Sequence, residues 1–273
     1  MSNHLKNNLY QNQLIFSMEV TVADLKRQDT VKKINQLTNL QYLSLVNHTK
    51  NDQEWQELLT AGQALQMRTQ RPLLLHLPAG TIAESQIQQK LIALQENQLD
   101  HLLIMRGDRV APAANYHSAT SLLKDINKSA FNFDLGATVD PNKIATLGLP
   151  ALLSEIDTKI AAGAEFLITQ IFFDLGLFKQ LQEALQQRYP QIPLIAGVFP
   201  VMTVKQGQWI ENNLGQGLPV TLTRRLMTLP ADPQLKQYWC GWLKELLLTG
   251  PAGVHFFAGI DIDFIKELMD IAY

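Results

Sequence analysis

The 273-residue chain contains a single cysteine, Cys240, and only 18% of its residues are charged. One cysteine excludes an internal disulfide framework and a zinc site built from several cysteines, and it is typical of a reducing cytoplasm. The formal net charge of −2 gives no electrostatic reason to expect nucleic acid or an anionic membrane surface as a partner. We therefore expect a cytoplasmic protein that binds small molecules.

Long apolar runs are also missing. No stretch approaches the roughly 18 apolar residues of a membrane span, and the polar residues 1–12 lack the apolar core of a signal peptide. We expect residues 1–12 to be flexible. The six histidines show no metal-binding spacing, so the sequence predicts no metal site. Hydrophobic residues still make up 46% of the chain, which is enough for a large core.

Short apolar runs alternate with amphipathic segments along the whole chain. The runs that predict strands cover residues 14–20, 42–46, 72–77, 101–105, 133–138, 166–170, 193–198 and 253–257. Amphipathic segments begin near Thr30, Gln53, Glu84, Ser118, Pro150, Leu175, Thr203 and Leu235, and a last helix is predicted over 263–272. Strands that alternate with helices imply right-handed crossovers, and eight such units predict an α/β fold, the (β/α)8 TIM barrel. Such barrels have roughly 250 residues, so 1–273 is predicted to be a single catalytic domain.

The interval between the last two predicted strands is too long for one crossover. It holds a predicted helix over 203–213, a Gly/Pro-rich break at 215–219 and two further helices, which we place at the carboxyl face of the barrel. An open doubly wound sheet is the alternative fold. That fold would need a glycine-rich phosphate turn after the first strand, and residues 18–24 contain no glycine.

Polar side chains lie at the ends of several predicted strands, where a barrel gathers its catalytic groups. They are Glu19, Asn47, His48, His76, Arg106, Asp108, Gln170 and His255. A carboxyl group on an apolar strand is partly desolvated, which would raise the pKa of Glu19 and suit it to donate a proton near neutral pH. The alternatives for Glu19 are a solvated acid at the strand end and an ion pair with Arg106. The alternative for His76 and His255 is a structural role as buried, hydrogen-bonded histidines.

Residues 166–174 are the most informative run. An apolar strand ends there in Thr169 and Gln170, which places the Gln170 amide at the candidate site. Phe172 and Phe173 are expected to pack in the core, and Asp174 is expected to cap the helix that begins at Leu175.

Four segments together resemble the methylenetetrahydrofolate reductase family. They are Ser17-Met-Glu19, Leu-Ile-Met-Arg-Gly-Asp at 103–108, Lys-Ile-Ala-Ala-Gly-Ala-Glu-Phe-Leu-Ile-Thr-Gln-Ile-Phe-Phe-Asp at 159–174, and Ile-Ala-Gly-Val-Phe-Pro-Val at 195–201. Their order and spacing match across most of the chain, and 159–174 is the specific part. The resemblance implies a barrel that holds FAD. In the family, NADH or NADPH reduces the flavin and the flavin then reduces methylenetetrahydrofolate to methyltetrahydrofolate, by a ping-pong route.

The resemblance also implies roles for individual residues. Glu19 matches the general acid, which protonates a folate nitrogen so that the five-membered ring opens to an iminium ion. Asp108 matches a carboxylate beside the flavin and the pterin, which would tune the flavin and help to hold the folate. Gln170 matches an amide that binds the folate. Cofactor contacts are implied at His76, Arg106, Gly107, Asp108 and Lys159. Members of the family assemble, so a homo-oligomer is expected.

The sequence departs from the family mostly at cofactor contacts. Val46 replaces a threonine that touches the flavin phosphate, and 138–143, which includes Val139 and Lys143, replaces a Tyr-Pro-Glu run and a nearby histidine. The prolines after Glu19 and the Asn-Arg after 255–257 are missing. Three hypotheses follow. The first is the flavin-dependent reductase, the second is a flavin-free enzyme in which NADH passes hydride directly to the folate, and the third is a non-catalytic folate- or flavin-binding subunit that needs a partner chain.

Overall fold

The computed structural model describes residues 14–107, 112–228 and 233–272. Eight parallel strands in these ranges close into a barrel in the order β1 to β8. The strands are β1 Ile15–Val20, β2 Leu40–Leu45, β3 Leu73–Pro78, β4 His101–Met105, β5 Asp134–Val139, β6 Phe166–Thr169, β7 Leu194–Val198 and β8 Gly253–Phe256. The predicted (β/α)8 barrel is confirmed, and each predicted strand ends within two residues of an observed one.

Helices connect the strands. They are α1 Val22–Leu25, α2 Thr30–Asn35, α3 Asp52–Thr69, α4 Ile87–Glu96, α5 Ala119–Asn127, α6 Lys143–Leu147, α7 Leu149–Ala161, α8 Leu175–Arg188, α9 Val204–Leu214, α10 Val220–Thr228, α11 Pro233–Leu248 and α12 Ile262–Met269. The sequence did not predict α1 and α6, because four or five residues are too few to show a helical period. Among the described residues, no helix combines the length and the apolar character that crossing a membrane requires.

Two apolar layers hold the barrel together. The outer layer packs strands against helices, and a separate cluster fills the barrel interior. The interior cluster consists of Ile15, Tyr42, Leu74, Leu103, Phe166, Ile168 and Ile195. Gly136 on β5 makes room for the Phe166 ring, since a Cβ at Gly136 would lie 2.3 Å from a ring carbon. The strands read as nearly continuous apolar runs because both of their faces are buried.

The long connection between β7 and β8 contains helices α9, α10 and α11, as predicted. Helix α9 begins with a capping box, in which the Thr203 hydroxyl accepts from the Gln206 backbone N–H and the Gln206 side chain reaches back. It ends at Gly215, which has a positive φ of 64°. Trp209 and Leu214 of α9 line the mouth of the barrel, so this insertion lies at the carboxyl face.

The residues that follow β6 have the packing and capping roles predicted for them. The Asp174 carboxylate caps α8 by accepting from the Gly176 N–H at 2.8 Å. Phe172 is buried and stacks on Phe178, with ring centroids 4.9 Å apart. Phe173 is half-buried and packs beside Trp239. These residues therefore fix the strand end that presents Gln170 to the site.

Candidate active site

A cavity of about 880 Å³ opens at the carboxyl ends of the strands. Its volume is in the range of sites that hold drug-sized molecules and cofactors. The predicted site residues that line it are Glu19, Asn47, His48, His76, Arg106, Gly107, Lys159, Gln170 and His255. Asp108, predicted to contact both folate and flavin, lies outside the described residues. The structure thus brings nine predicted residues to one cavity.

Glu19 is held at the floor of this cavity by three partners. Its Oε1 lies 3.3 Å from Nε2 of His255 and 3.7 Å from Nε2 of His76. Its Oε2 accepts a hydrogen bond from the Ala258 backbone N–H at 3.0 Å. The Glu19 side chain is only 9% exposed. These partners, and not an ion pair with Arg106, fix the carboxyl group, and the Arg106 side chain is exposed at the rim.

Strand pairing places both imidazoles next to Glu19. Strand β1 pairs with β8, so Ser17 is in register with His255 and the Ser17 Oγ lies 2.8 Å from the His255 Nδ1. Strand β1 also pairs with β2, which sets Glu19 in register with Ser44. The Ser44 Oγ lies 2.6 Å from the His76 Nε2. Each imidazole is therefore oriented by a buried hydroxyl of a neighbouring strand.

The pKa of Glu19 is shifted in the direction opposite to the one expected from the sequence. Burial raises the pKa of Glu19, but the His255 hydrogen bond, the charges that His76 and His255 carry when protonated, and the Ala258 N–H outweigh burial. The pKa of Glu19 is therefore lowered below its usual value, and the prediction of a raised pKa is wrong. The prediction considered only desolvation, which does raise the pKa of Glu19. The strand pattern in the sequence could not show that two imidazoles lie beside the carboxylate and stabilise it.

His76 is neutral near neutral pH. Burial lowers the pKa of His76 to about 4, against the opposing effect of the Glu19 carboxylate. His76 therefore meets the Glu19 carboxyl group as a neutral imidazole.

Glu19, His76 and His255 have nitrogen and oxygen atoms of metal-binding types within 4.8 Å of one another. The sequence spacing does not reveal this cluster, because its members come from β1, β3 and β8. The Ser44 Oγ, however, lies at 2.6 Å from the His76 Nε2, where a metal bond would have to form. We therefore interpret the cluster as a hydrogen-bonded set.

An ionic cluster around the buried Lys159 side chain forms one wall of the cavity. The Lys159 Nζ donates to the Thr138 carbonyl at 2.8 Å and to Glu155 Oε1 at 2.5 Å. Lys143 donates to the other Glu155 oxygen at 2.6 Å. Burial lowers the pKa of Lys159, although Glu155 opposes the shift. The carboxylate of Asp140 lines the same wall, so two ammonium groups stand beside two carboxylates there. The sequence reasoning missed Glu155, whose position four residues before Lys159 was the available signal.

Gln170 presents a hydrogen-bond donor to the cavity. Its Oε1 accepts from the Ile171 backbone N–H at 2.9 Å, and its own backbone N–H donates to the Val139 carbonyl at 2.7 Å. The side-chain NH2 is the group that remains to meet a ligand. Gly107, which also lines the cavity, has a φ of 85°, and a Cβ there would lie 3.0 Å from the Pro78 Cβ.

Aromatic side chains form an apolar wall that the sequence did not predict. Phe199, Trp209 and Phe257 line the cavity, and Trp209 is 51% exposed. Rings of this kind suit the flat faces of aromatic ligands. The available signal was their position after β7 and β8 and on the helix that follows β7.

The fold and this site define a (β/α)8-barrel protein with a buried carboxyl group, two imidazoles and a donor amide around a cofactor-sized cavity. The family model "Methylenetetrahydrofolate reductase" matches residues 4–260. The chain belongs to the methylenetetrahydrofolate reductase family.

Curated relatives carry the family's name at low identity. Methylenetetrahydrofolate reductase (NADH) 1 of Arabidopsis thaliana is 23% identical over 223 residues, which are 72% of this chain and 38% of the plant protein. The 5,10-methylenetetrahydrofolate reductase of Escherichia coli K12 is 22% identical over 142 residues, 52% of this chain and 48% of the relative. The alignments thus span about half or less of these relatives' length.

Solved structures show the same fold. An uncharacterized protein from Clostridium thermocellum, described as binding two copies of 5-methyl-5,6,7,8-tetrahydrofolic acid, matches with a TM-score of 0.72 at 16% identity. The match covers 98% of this chain and 97% of that protein. A thiamine phosphate pyrophosphorylase from Pyrococcus furiosus matches with a TM-score of 0.52 at 13% identity.

Proposed function

We propose that this protein reduces methylenetetrahydrofolate to methyltetrahydrofolate with electrons from NADH or NADPH, and that Glu19 is the general acid. The observation that carries the proposal is the Glu19 carboxyl group at the floor of the cavity, hydrogen-bonded to His255 and to the Ala258 N–H. Membership of the reductase family supports the substrate. The folate bound by the structural neighbour supports it as well.

The residues divide the reaction between them. The closed five-membered ring offers no electrophilic carbon, so Glu19 protonates a folate nitrogen and the ring opens to an iminium ion, which accepts hydride at its methylene carbon. Gln170 donates its amide N–H groups to the folate. Asp108 keeps its proposed role beside the pterin. The aromatic wall around Trp209 excludes water from the reacting atoms.

The cavity wall offers cations and a helix amino end to the phosphates of a bound dinucleotide. Lys143 and Lys159 place two ammonium groups there, beside the carboxylates of Glu155 and Asp140. The amino end of α5, capped by Ser118, faces the same cavity, and helix amino ends favour anions. We propose that Lys159, Arg106, Gly107 and His76 hold FAD. When bound, FAD carries hydride from the nicotinamide to the folate.

Direct hydride transfer from NADH is the second candidate, because two observations weaken the flavin contacts. Two of the three N–H groups of the Lys159 ammonium already point to Thr138 and Glu155. Val46, half-buried at the cavity, offers no hydroxyl to a phosphate. A non-catalytic subunit is less well supported, because such a protein has little use for a proton donor at Glu19.

The visible absorption spectrum of the purified protein tests this proposal. With FAD, NADH should bleach the flavin band and methylenetetrahydrofolate should restore it. If the protein is colourless and oxidises NADH only when the folate is present, the result supports direct hydride transfer from NADH to the folate. A protein that does neither, although it is folded by circular dichroism, contradicts both candidates. Glu19→Gln should keep the bleaching by NADH and lose the recovery.

We also propose that the chain folds as one domain and assembles into a homo-oligomer. Apolar side chains on the β7–β8 insertion support the assembly, since Val220 is 73% exposed, Met227 is 72% exposed and Leu248 is 88% exposed. An interface between subunits would remove the apolar surface of these side chains from water.

A further inference from the structure

We propose that Asn47, which follows the end of β2, binds the carbonyl oxygen at C4 of the folate pterin ring through its side-chain NH2 group. The inference rests on the proposed function and names a residue that recognises one part of the substrate. It stands on the geometry of the Asn47 side chain, which lines the cavity and is only 5% exposed.

The loop after β2 fixes the orientation of the Asn47 amide. Its Oδ1 accepts from the Thr49 backbone N–H at 3.0 Å and from the Thr49 hydroxyl at 2.8 Å. A backbone N–H can only donate, so the amide oxygen must face Thr49 and the NH2 group must face away from it. Within the described ranges this NH2 group has no acceptor. A buried amide donor that lines a cavity without a partner calls for an acceptor on a ligand.

The neighbouring donors on this side of the cavity are already used. The Thr21 hydroxyl donates to the Asp24 carboxylate at 2.7 Å, and the Thr49 hydroxyl donates to Asn47 itself. His48 is exposed. Of the described side chains that line the cavity at the ends of β1 and β2, Asn47 therefore carries the one buried N–H donor left for a ligand.

Strand pairing sets Asn47 beside the proposed general acid. The Val46 N–H donates to the Val20 carbonyl at 3.0 Å, which joins the ends of β1 and β2. Glu19 precedes Val20 and Asn47 follows Val46. A ligand whose reacting nitrogen lies over the Glu19 carboxyl group therefore presents the atoms next to that nitrogen to the Asn47 NH2 group.

The chemistry of the substrate identifies those atoms. The five-membered ring of methylenetetrahydrofolate joins N5 and N10, and Glu19 protonates one of these two nitrogens. The pterin acceptor nearest to that ring is the C4 carbonyl oxygen, which lies beside N5, so a donor next to Glu19 pairs with this oxygen. Gln170 follows β6, which lies opposite β2 in the closed barrel. The two amides therefore meet different edges of the folate.

An amide held in this orientation makes the site selective for a carbonyl group at C4. A 4-amino-4-deoxy analogue of the folate carries an amino group in place of that oxygen. The amino group and the Asn47 NH2 group would then be two donors facing each other, and neither would have an acceptor. The unmodified protein should bind methyltetrahydrofolate at least about tenfold more tightly than its 4-amino-4-deoxy analogue.

Asn47→Asp tests the inference by exchanging the NH2 group for an oxygen of similar size. The carboxylate can still accept both bonds from Thr49, and its second oxygen accepts from an amino group but repels a carbonyl oxygen. In isothermal titration the preference should shift by at least about tenfold and favour the 4-amino analogue. Asn47→Ala should weaken methyltetrahydrofolate roughly fivefold and spare the analogue. Asn127→Asp adds the same charge at an exposed position outside the cavity and should keep the original preference.

Equal affinity of the unmodified protein for the two compounds overturns the inference. An unchanged preference in Asn47→Asp, or in Asn47→Ala if the first variant does not fold, overturns it as well. If Asn47→Ala weakens NADH and spares methyltetrahydrofolate, the amide faces the nicotinamide carboxamide and the inference is wrong. In each of these cases, turnover of methylenetetrahydrofolate by the unmodified protein leaves the proposed function standing. A folded unmodified protein that binds neither folate compound contradicts the proposed function and the inference together.

Discussion

Two opposing effects act on the carboxyl group of Glu19. Burial favours the neutral acid, whereas the His255 ring and the Ala258 N–H favour the carboxylate and outweigh burial. A carboxyl group in this balance changes its protonation state when either effect changes. A ligand that removes water from the cavity strengthens the first effect. The balance at Glu19 is thus sensitive to any ligand that changes the contact of the carboxyl group with water.

Gln170 should contribute to folate affinity through its NH2 group. We expect Gln170→Ala to raise the dissociation constant for methyltetrahydrofolate roughly fivefold, because one neutral hydrogen bond contributes about 1 kcal/mol. Isothermal titration of the purified variant measures this change. Gln187→Ala removes an exposed amide outside the cavity and should bind as the unmodified protein does. Unchanged affinity in Gln170→Ala would show that the amide does not contact the folate.

For single residues, the sequence predicts their positions in the site better than their pKa values. Glu19 and Gln170 line the cavity because their places at strand ends follow from apolar periodicity and from the family motif. The direction of the Glu19 pKa shift could not be predicted. It depends on His255, whose contact with Glu19 requires the first and last strands to pair.

Among the elements, β5 and β6 show how the barrel interior limits side-chain size. The Phe166 ring is fully buried and occupies the space above Gly136. Strand β7 has a similar constraint, since a Cβ at Gly197 would lie 2.2 Å from the Thr169 carbonyl oxygen. The glycines therefore let neighbouring strands and a large ring approach closely at the centre of the barrel.

We expect Gly136→Ala to destabilise the protein by about 1–3 kcal/mol, because the added methyl group overpacks the interior against a ring that has no room to move. The free energy of unfolding in urea, determined for variant and unmodified protein with the same denaturant slope m, measures the change. Gly241→Ala is the matched control. Gly241 is exposed on α11 with no atom near its Cβ position, so alanine should stabilise by about 1 kcal/mol through helix propensity. Equal effects of the two substitutions would contradict this packing.

Elements with a long, regular pattern could be predicted and short ones could not. Strand β4 was predicted at its observed bounds, because its apolar run is flanked by polar residues. The capped helices α8 and α9 begin within one residue of their predicted starts. Helix α6 was missed, and with it the local geometry that directs Lys143 towards Glu155.

At the scale of the whole molecule, barrel closure assembles the site. Strand β1 pairs with both β2 and β8, which gathers the ends of the chain around one carboxyl group. An open sheet would separate Glu19 from His255. The β7–β8 insertion adds Trp209 to the same mouth. Closure was predictable from eight regular βα units, whereas the contacts made across the closed barrel were not.

The most direct test of the proposed function measures the product. Purified protein is incubated with methylenetetrahydrofolate and NADH or NADPH, and methyltetrahydrofolate is quantified by mass spectrometry, alongside Glu19→Gln. The proposed function predicts repeated turnover by the unmodified chain and a loss of at least about a hundredfold in the variant, with folate binding retained. No product from the folded, folate-bound protein, or equal turnover by Glu19→Gln, would contradict it.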